Sequence, residues 1–336
     1  MTRWAGTPRK RVVVLALAGW LVVLFALQAI AVPYVRLSPG PVFDVLGQSD
    51  GQPVISIRGA EVHPTTGRLD MTTVSERGGP FGGLTLFEAY TGWLDPAVAV
   101  VPTYLLYPPD TSGEQAKRLG ADQFSDSQEN ARIAALREVG EPVRTRPWVR
   151  EVIPGTPAEG VLKHGDVVLS ADGRPLAGPE QLARVIGRAG PGSTVTLEVR
   201  RDRAVEKVVV ETIGNPLDPA KGYVGVSLGV IGESPVQIDF HLQDVGGPSA
   251  GLIFSLGIVD KLTPGGLLSE RTVAGTGTMS ADGRVGPVGG VRQKLAAAAS
   301  GGATLFLVPA ANCDQVSGGV PDGLEVAAVQ SLAQAR

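Results

Sequence analysis

The chain has almost no cysteine. Cys313 stands alone among 336 residues, which excludes an intrachain disulfide. Aromatic residues make up 5%, too few for a surface that stacks bases. A net charge of −3 leaves no basic excess, so nucleic acid is not an expected partner. Histidine is scarce too: His63, His164 and His241 give no cysteine-protease context, and Cys313 reads as a half-buried small residue. Asp239, Asp244 and Asp260 match no ligand spacing, so no metal is expected. Nothing reads as Gly-x-x-x-x-Gly-Lys-Ser/Thr, which removes the phosphate-cradling loop of a nucleotide motor. No cofactor is implied.

Long apolar runs are as scarce, with one exception. Val12 to Val32 contains a single polar residue, Gln28. As a helix it would be about 30 Å long, enough to cross a bilayer. Arg3, Arg9, Lys10 and Arg11 precede it without an acidic residue. That asymmetry keeps the N-terminus cytoplasmic and exports the rest, so residues 1–33 are expected to be a basic stub and a single-pass membrane anchor. A cleaved signal peptide is the rival reading, because Ala29-Ile30-Ala31 has a small-x-small pattern.

What the chain has in quantity is turn chemistry, with 45 glycines and 26 prolines. Residues 34–140 read as a β-rich region with short strands at Val54–Ile57 and Leu69–Val74, and with a helix over Leu84–Leu94. An amphipathic linking helix follows over Ser127–Val139, capped by Ser125 or Asp126. Residues 141–221 alternate turns and strands. Strands are expected at Trp148–Ile153, Val167–Ala171, Thr194–Arg200 and Lys207–Thr212, with a hairpin signal at Asp172-Gly173 and a helix over Glu180–Arg188.

From residue 222 onward the pattern carries chemistry. Pro248-Ser249-Ala250-Gly251 follows Gly246-Gly247 and opens an apolar helix expected over Ser249–Leu262. Free amides and the positive dipole end at such a turn suit an oxyanion, so Gly246, Gly247, Pro248 and Ala250 are expected to shape the oxyanion and substrate loop. A serine hydroxyl needs a base, and no histidine is well placed. Lys294 lies 45 residues later in an alanine-rich helix, where poor solvation would lower its pKa enough to make it that base. Thr276 lies 18 residues before Lys294 and is a candidate to hold the amine.

Two resemblances follow. The run from Pro154-Gly155-Thr156-Pro157-Ala158 through Leu162, Gly165-Asp166, Val168-Leu169 and Asp172-Gly173 resembles the bacterial PDZ signature. It implies an edge strand that binds peptide tails, and Gly222-Tyr223-Val224-Gly225-Val226 has the character of that groove, although an ordinary strand joining two domains fits as well. Gly247–Gly251, Gly275-Thr276-Gly277 and the run Gly283–Lys294 resemble the proteolytic domain of Lon-type peptidases, over about residues 222–330. The resemblance implies a catalytic Ser249/Lys294 dyad supported by Thr276. The whole order looks like bacterial membrane-anchored PDZ–Lon serine peptidases, an α+β multidomain class.

Without an ATPase module the enzyme is expected to cut unfolded or flexible polypeptides without ATP. Relatives that form rings make a homo-oligomer a further partner to test. The loop before Ser249 lacks a lysine often found in the family, which leaves its share of the oxyanion site open. A membrane-tethered PDZ adaptor with an inactive peptidase domain is the alternative, and a narrow processing enzyme is a third.

Overall fold

The computed structural model describes residues 8–316 and 319–336. Arg3 of the expected basic stub lies outside the described residues. In chain order the principal elements are α1 (Pro8–Ala29), β1 (Tyr34–Asp44), β2 (Ile55–Arg58), β3 (Arg68–Gly78), α2 (Leu86–Leu94), β4 (Ala99–Pro102) and α3 (Gly113–Glu138). There follow β5 (Arg144–Val152), β6 (Val167–Ala171), α4 (Pro179–Ala189), β7 (Thr194–Arg201), β8 (Ala204–Glu211) and β9 (Val226–Glu233). The last part contains β10 (Gln237–Phe240), α5 (Gly251–Leu262), β11 (Thr272–Gly275), α6 (Val291–Ser300), β12 (Leu305–Pro309) and β13 (Glu325–Val329).

The apolar run forms α1, whose Lys10–Ala29 stretch has a mean hydropathy of 2.5 and is not buried in the protein. It is long and apolar enough to cross a membrane. The helix stops at Ala29, three residues short of the expected end. Ala31 and Val32 instead pair antiparallel with Thr85 and Leu84. Ile30 and Val32 are β-branched, and Pro33 disfavours a helical conformation at the residue before it, so the chain runs extended there.

Two sheets organise the rest. β5 to β9 form an antiparallel sheet in the order β8-β7-β6-β5-β9, with Arg174-Pro175 added on β6. Asp172 and Gly173 both have positive φ, as the tight hairpin between β6 and Arg174 requires. Alternating inward residues of this sheet, among them Val195, Leu197 and Val199, pack with Leu182 and Ile186 of α4 in a core of their own. β9 closes the sheet against β5, so residues 226–233 belong to this module, not to the one that follows.

The second sheet has the order β13-β12-β11-β3-β1-β4. β3, β11, β12 and β13 run parallel, and β1 is antiparallel to both β3 and β4. Residues 34–102 were expected to lie in a β-rich region of their own. Their long strands instead supply half of the sheet that carries the C-terminal elements. Leu69 and Met71 of β3 are buried against α5, whereas the face carrying Ala274 packs on Val291, Leu295 and Ala298 of α6. A strand buried on both faces needs neighbours on both edges, and β1 and β11 provide them.

α3 is one helix of 26 residues, longer than the expected Ser127–Val139 segment. Its cap is Ser112, not Ser125 or Asp126. Ser112 and Gln115 form a reciprocal capping box, and Gly120 does not break the helix. Ala131, Ala134 and Ala135 bury one face of α3 in the same core as α5.

Candidate active site

The turn that carries Ser249 is assembled by three elements. α5 begins at Gly251 with Ala250 as its N-cap, so Ser249 sits just before the helix, not in its first turn. Gly247 has a φ of 90°, a left-handed conformation that glycine adopts without strain. Its amide donates to Gly120 O of α3 at 2.8 Å. The expectation that Gly247 helps to line an oxyanion site is thereby corrected for its N–H, which is already engaged. Pro248 has no N–H, and its carbonyl accepts from Ser127 Oγ of α3 at 3.0 Å. A Cβ added at Gly246 would come within 3.3 Å of the Gly120 backbone.

The carbonyl of Ser249 is turned inward. It accepts from Gly277 N at 3.0 Å and from Thr276 Oγ1 at 3.2 Å. This fixes the Cα of Ser249 against the end of β11. Thr276 is itself buried, and its amide donates to Leu307 O of β12. Thr72 of β3, also buried, donates to Gly275 O at 3.1 Å and locks the neighbouring residue.

Lys294 reaches this point from the first turn of α6. Val291 and Leu295 anchor that helix in the core, which leaves Lys294 only 3% exposed. Nζ lies 2.8 Å from Ser249 Oγ and 2.9 Å from Thr276 Oγ1. Among the described residues no carboxylate pairs with it. Burial alone pushes its pKa down to about 7, because the ammonium form loses its hydration without gaining a counter-charge.

The proton inventory then has one natural arrangement. The Thr276 hydroxyl donates to Ser249 O, so its lone pairs are free to accept from a Lys294 N–H. With that N–H committed, the lone pair of the neutral amine can face Ser249 Oγ and accept its proton. The three side chains expected to meet, Ser249, Thr276 and Lys294, do meet.

They open into a cleft of about 860 Å³ lined by both chain halves, including Phe43, Val74, Val245 and Gly290. Asn312 was not singled out from the sequence. It is 1% exposed, accepts from Val288 N and donates to Val288 O, and so clamps the loop that leads into α6. Ser127 was also missed. Neither residue has a local motif, because each acts on a segment far away in sequence. Cys313, expected half-buried, is exposed.

The second expected site lies elsewhere. Gly222 and Tyr223 end a short strand (Asp218–Tyr223), and Val226 opens the edge strand β9. Gly225 has a φ of 81°, and its carbonyl accepts from Ile153 N. Gly222 packs directly on the backbone of α4 at Ile186. Towards the far end of β9, Gly232 N donates to Glu129 Oε1 at 2.5 Å and Gly232 O accepts from Arg132 at 2.7 Å. α3 thus caps that end of the sheet edge.

Comparison with known proteins finds two families in the chain. Residues 123–212 match the PDZ domain family, and residues 242–335 match the C-terminal proteolytic domain of the Lon protease (S16) family. The chain is 35% identical over 121 residues to Lon protease 2 of Bacillus subtilis, covering 34% of this chain and 21% of that protein. It is 41% identical over 91 residues to the Lon protease of Methylocella silvestris, covering 25% and 11%. The chain therefore spans about a fifth or less of the length of these relatives. Among solved structures, the PDZ domain of the SdrC-like protein of Listeria monocytogenes is 20% identical, covering 25% of this chain and 86% of that one at a TM-score of 0.23.

Proposed function

We propose that this chain, which carries a PDZ domain and a Lon-type proteolytic domain, is a membrane-anchored serine endopeptidase that works without ATP. The observation that carries the reading is the 2.8 Å separation of Lys294 Nζ and Ser249 Oγ, with the amine buried and, among the described residues, no carboxylate paired with it. The neutral amine takes the Ser249 proton as Oγ attacks a peptide carbonyl. The resulting ammonium gives the proton to the departing amine, leaving an acyl-serine. Water then enters, and Lys294 acts as base again while the acyl bond is hydrolysed. The oxyanion falls to the amide of Ser249 at the positive end of α5, since the amide of Gly247 is taken.

The substrate class is flexible or unfolded polypeptide, because nothing in the chain supplies a motor. α1 serves as the anchor, with the N-terminus cytoplasmic and the catalytic domain on the far side. Gly222–Val226 and the open part of the β9 edge accept a peptide tail beside α4, which presents substrate or restrains the site. The free edge of β9 and the close packing of Gly222 on α4 support that placement.

The decisive experiment incubates the purified chain with an unfolded protein and no nucleotide. Wild type is expected to cleave, and Ser249→Ala and Lys294→Ala are each expected to lose at least about a thousandfold in kcat. Equal cleavage by all three overturns the dyad. No cleavage by any, with a peptide tail still bound, favours the tethered adaptor.

A further inference from the structure

Outside α1, the described residues expose four aromatic side chains: Phe81, Tyr90, Trp93 and Tyr104. All fall within 24 residues of each other in the chain. Leu94, Leu105 and Leu106 are exposed among them, at 67%, 62% and 43%. Such a concentration is unusual for a surface that faces only water. The remaining exposed apolar residues outside α1, such as Val62, Leu119 and Leu217, are aliphatic and scattered.

The location of this face is fixed by hydrogen bonds to the residues where the chain leaves α1. Leu86 N, at the start of α2, donates to Ile30 O at 2.8 Å. Thr103 N, at the start of the turn that carries Tyr104 and Leu105, donates to Pro33 O at 3.0 Å. The Trp93 ring packs edge-on against Tyr34 at 5.8 Å. Tyr90, Trp93 and Leu94 occupy one side of α2 at helical spacing. The single charge of α2, Glu88, is neutralised by Arg77 at 3.0 Å, and residues 97–109 carry no charge at all.

We propose that the face formed by α2 and residues 103–106 docks on the lipid surface, with its aromatic side chains in the headgroup layer. Tryptophan and tyrosine suit that layer because an apolar ring and a polar tip match its two sides. The uncharged run 97–109 avoids the cost of bringing a charge toward hydrocarbon, and Asp95, the one charged residue between Trp93 and Tyr104, lies exposed at the end of α2. The inference rests on α1 being a membrane span, since the same residues join the span to the face. Leu106 also lines the active-site cleft, so docking holds the open side of the cleft next to the bilayer.

The test uses the full chain in vesicles of phosphatidylcholine and phosphatidylglycerol. Single nitroxide labels are placed in a Cys313→Ser background at Val22→Cys, Leu94→Cys, Leu105→Cys and Leu217→Cys. These side chains are exposed, Leu217 at 96%, so labelling leaves the fold intact, and two labels on the face guard against one failed variant. Relaxation by oxygen, which concentrates in lipid, is compared with relaxation by a water-soluble nickel chelate. The expected depth parameter is positive at 22, intermediate at 94 and 105, and strongly negative at 217. A positive value at 22 with values at 94 and 105 as negative as that at 217 overturns docking and leaves the span standing. A negative value at 22 removes the span, and the inference falls with it. Protection from both relaxants with dipolar broadening at 94 and 105 assigns the face to a second copy of the chain and overturns lipid docking.

Discussion

At the scale of single residues, Lys294 sets both the proposed chemistry and its cost. Its folded pKa of about 7 lies below the value of an unfolded lysine, so between those values the unfolded chain binds more protons. Stability contributed at this site therefore rises with pH across that window, and below it the buried ammonium is a penalty. At neutral pH the penalty is on the order of 4 kcal/mol, at about 1.4 kcal/mol per pKa unit. Lys294→Met removes it and forfeits two hydrogen bonds worth about 1 kcal/mol each. The variant is expected to be inactive yet to melt higher than wild type at pH 7, and calorimetry should show the difference shrinking as pH approaches about 10. Activity of the wild type should climb through about pH 7 as the amine loses its proton. A rate that is flat from about pH 5 to about pH 9 would contradict the amine as base. Thr276→Val leaves the Lys294 N–H without its acceptor and the lone pair unaimed. Its kcat is expected to fall roughly 10- to 100-fold with KM little changed, and Thr276→Ser should restore most of it.

At the scale of elements, α3 connects the two sites. Its Glu129 and Arg132 hold the edge of β9, and Ser127, just before them, holds Pro248 next to Ser249. Ser127→Ala is expected to cost about 1 kcal/mol of stability and to lower kcat roughly 5-fold, because the turn keeps its sequence and loses a fixed point. If steady-state kinetics of Ser127→Ala match wild type, the helix does not position the turn. None of this was readable from the chain. Ser127 sits in an ordinary polar helix face, and its partner is 121 residues away. Elements governed by local rules were legible. Val167–Ala171 matched its strand bounds because alternation and the Asp172-Gly173 hairpin act over a few residues. The meeting of Ser249 and Lys294 was legible for a different reason, since two glycine-bounded motifs at a fixed spacing survive without knowledge of the sheet between them. The cap of α3 was misplaced by competition between several plausible residues, which only tertiary contacts resolve, and α5 starts two residues later than expected.

At the scale of the whole molecule, the proteolytic unit is split in sequence. β1, β3 and β4 come before the PDZ module, and β11, β12 and β13 come after it, yet all six share one sheet. A family resemblance confined to the C-terminal residues cannot reveal the missing half, because β3 pairs in parallel with β11 across about 200 residues of chain. Residues 222–336 alone would expose the β11 edge and lose buried Leu69 and Met71. They are expected to show no cooperative thermal transition. The PDZ module behaves as an insertion. The chain enters it at Arg144 and leaves at Glu233, which are directly paired across β5 and β9. Strand neighbours lie about 5 Å apart, so a linker of two or three glycine and serine residues can replace 144–233 without stretching the chain. The shortened protein should melt cooperatively, lose peptide-tail binding, and keep Ser249-dependent cleavage of an unfolded substrate within roughly 10-fold of wild type. A well-folded excision variant with no cleavage would mean that the module is needed to hold α3, and through it the nucleophile turn, in place.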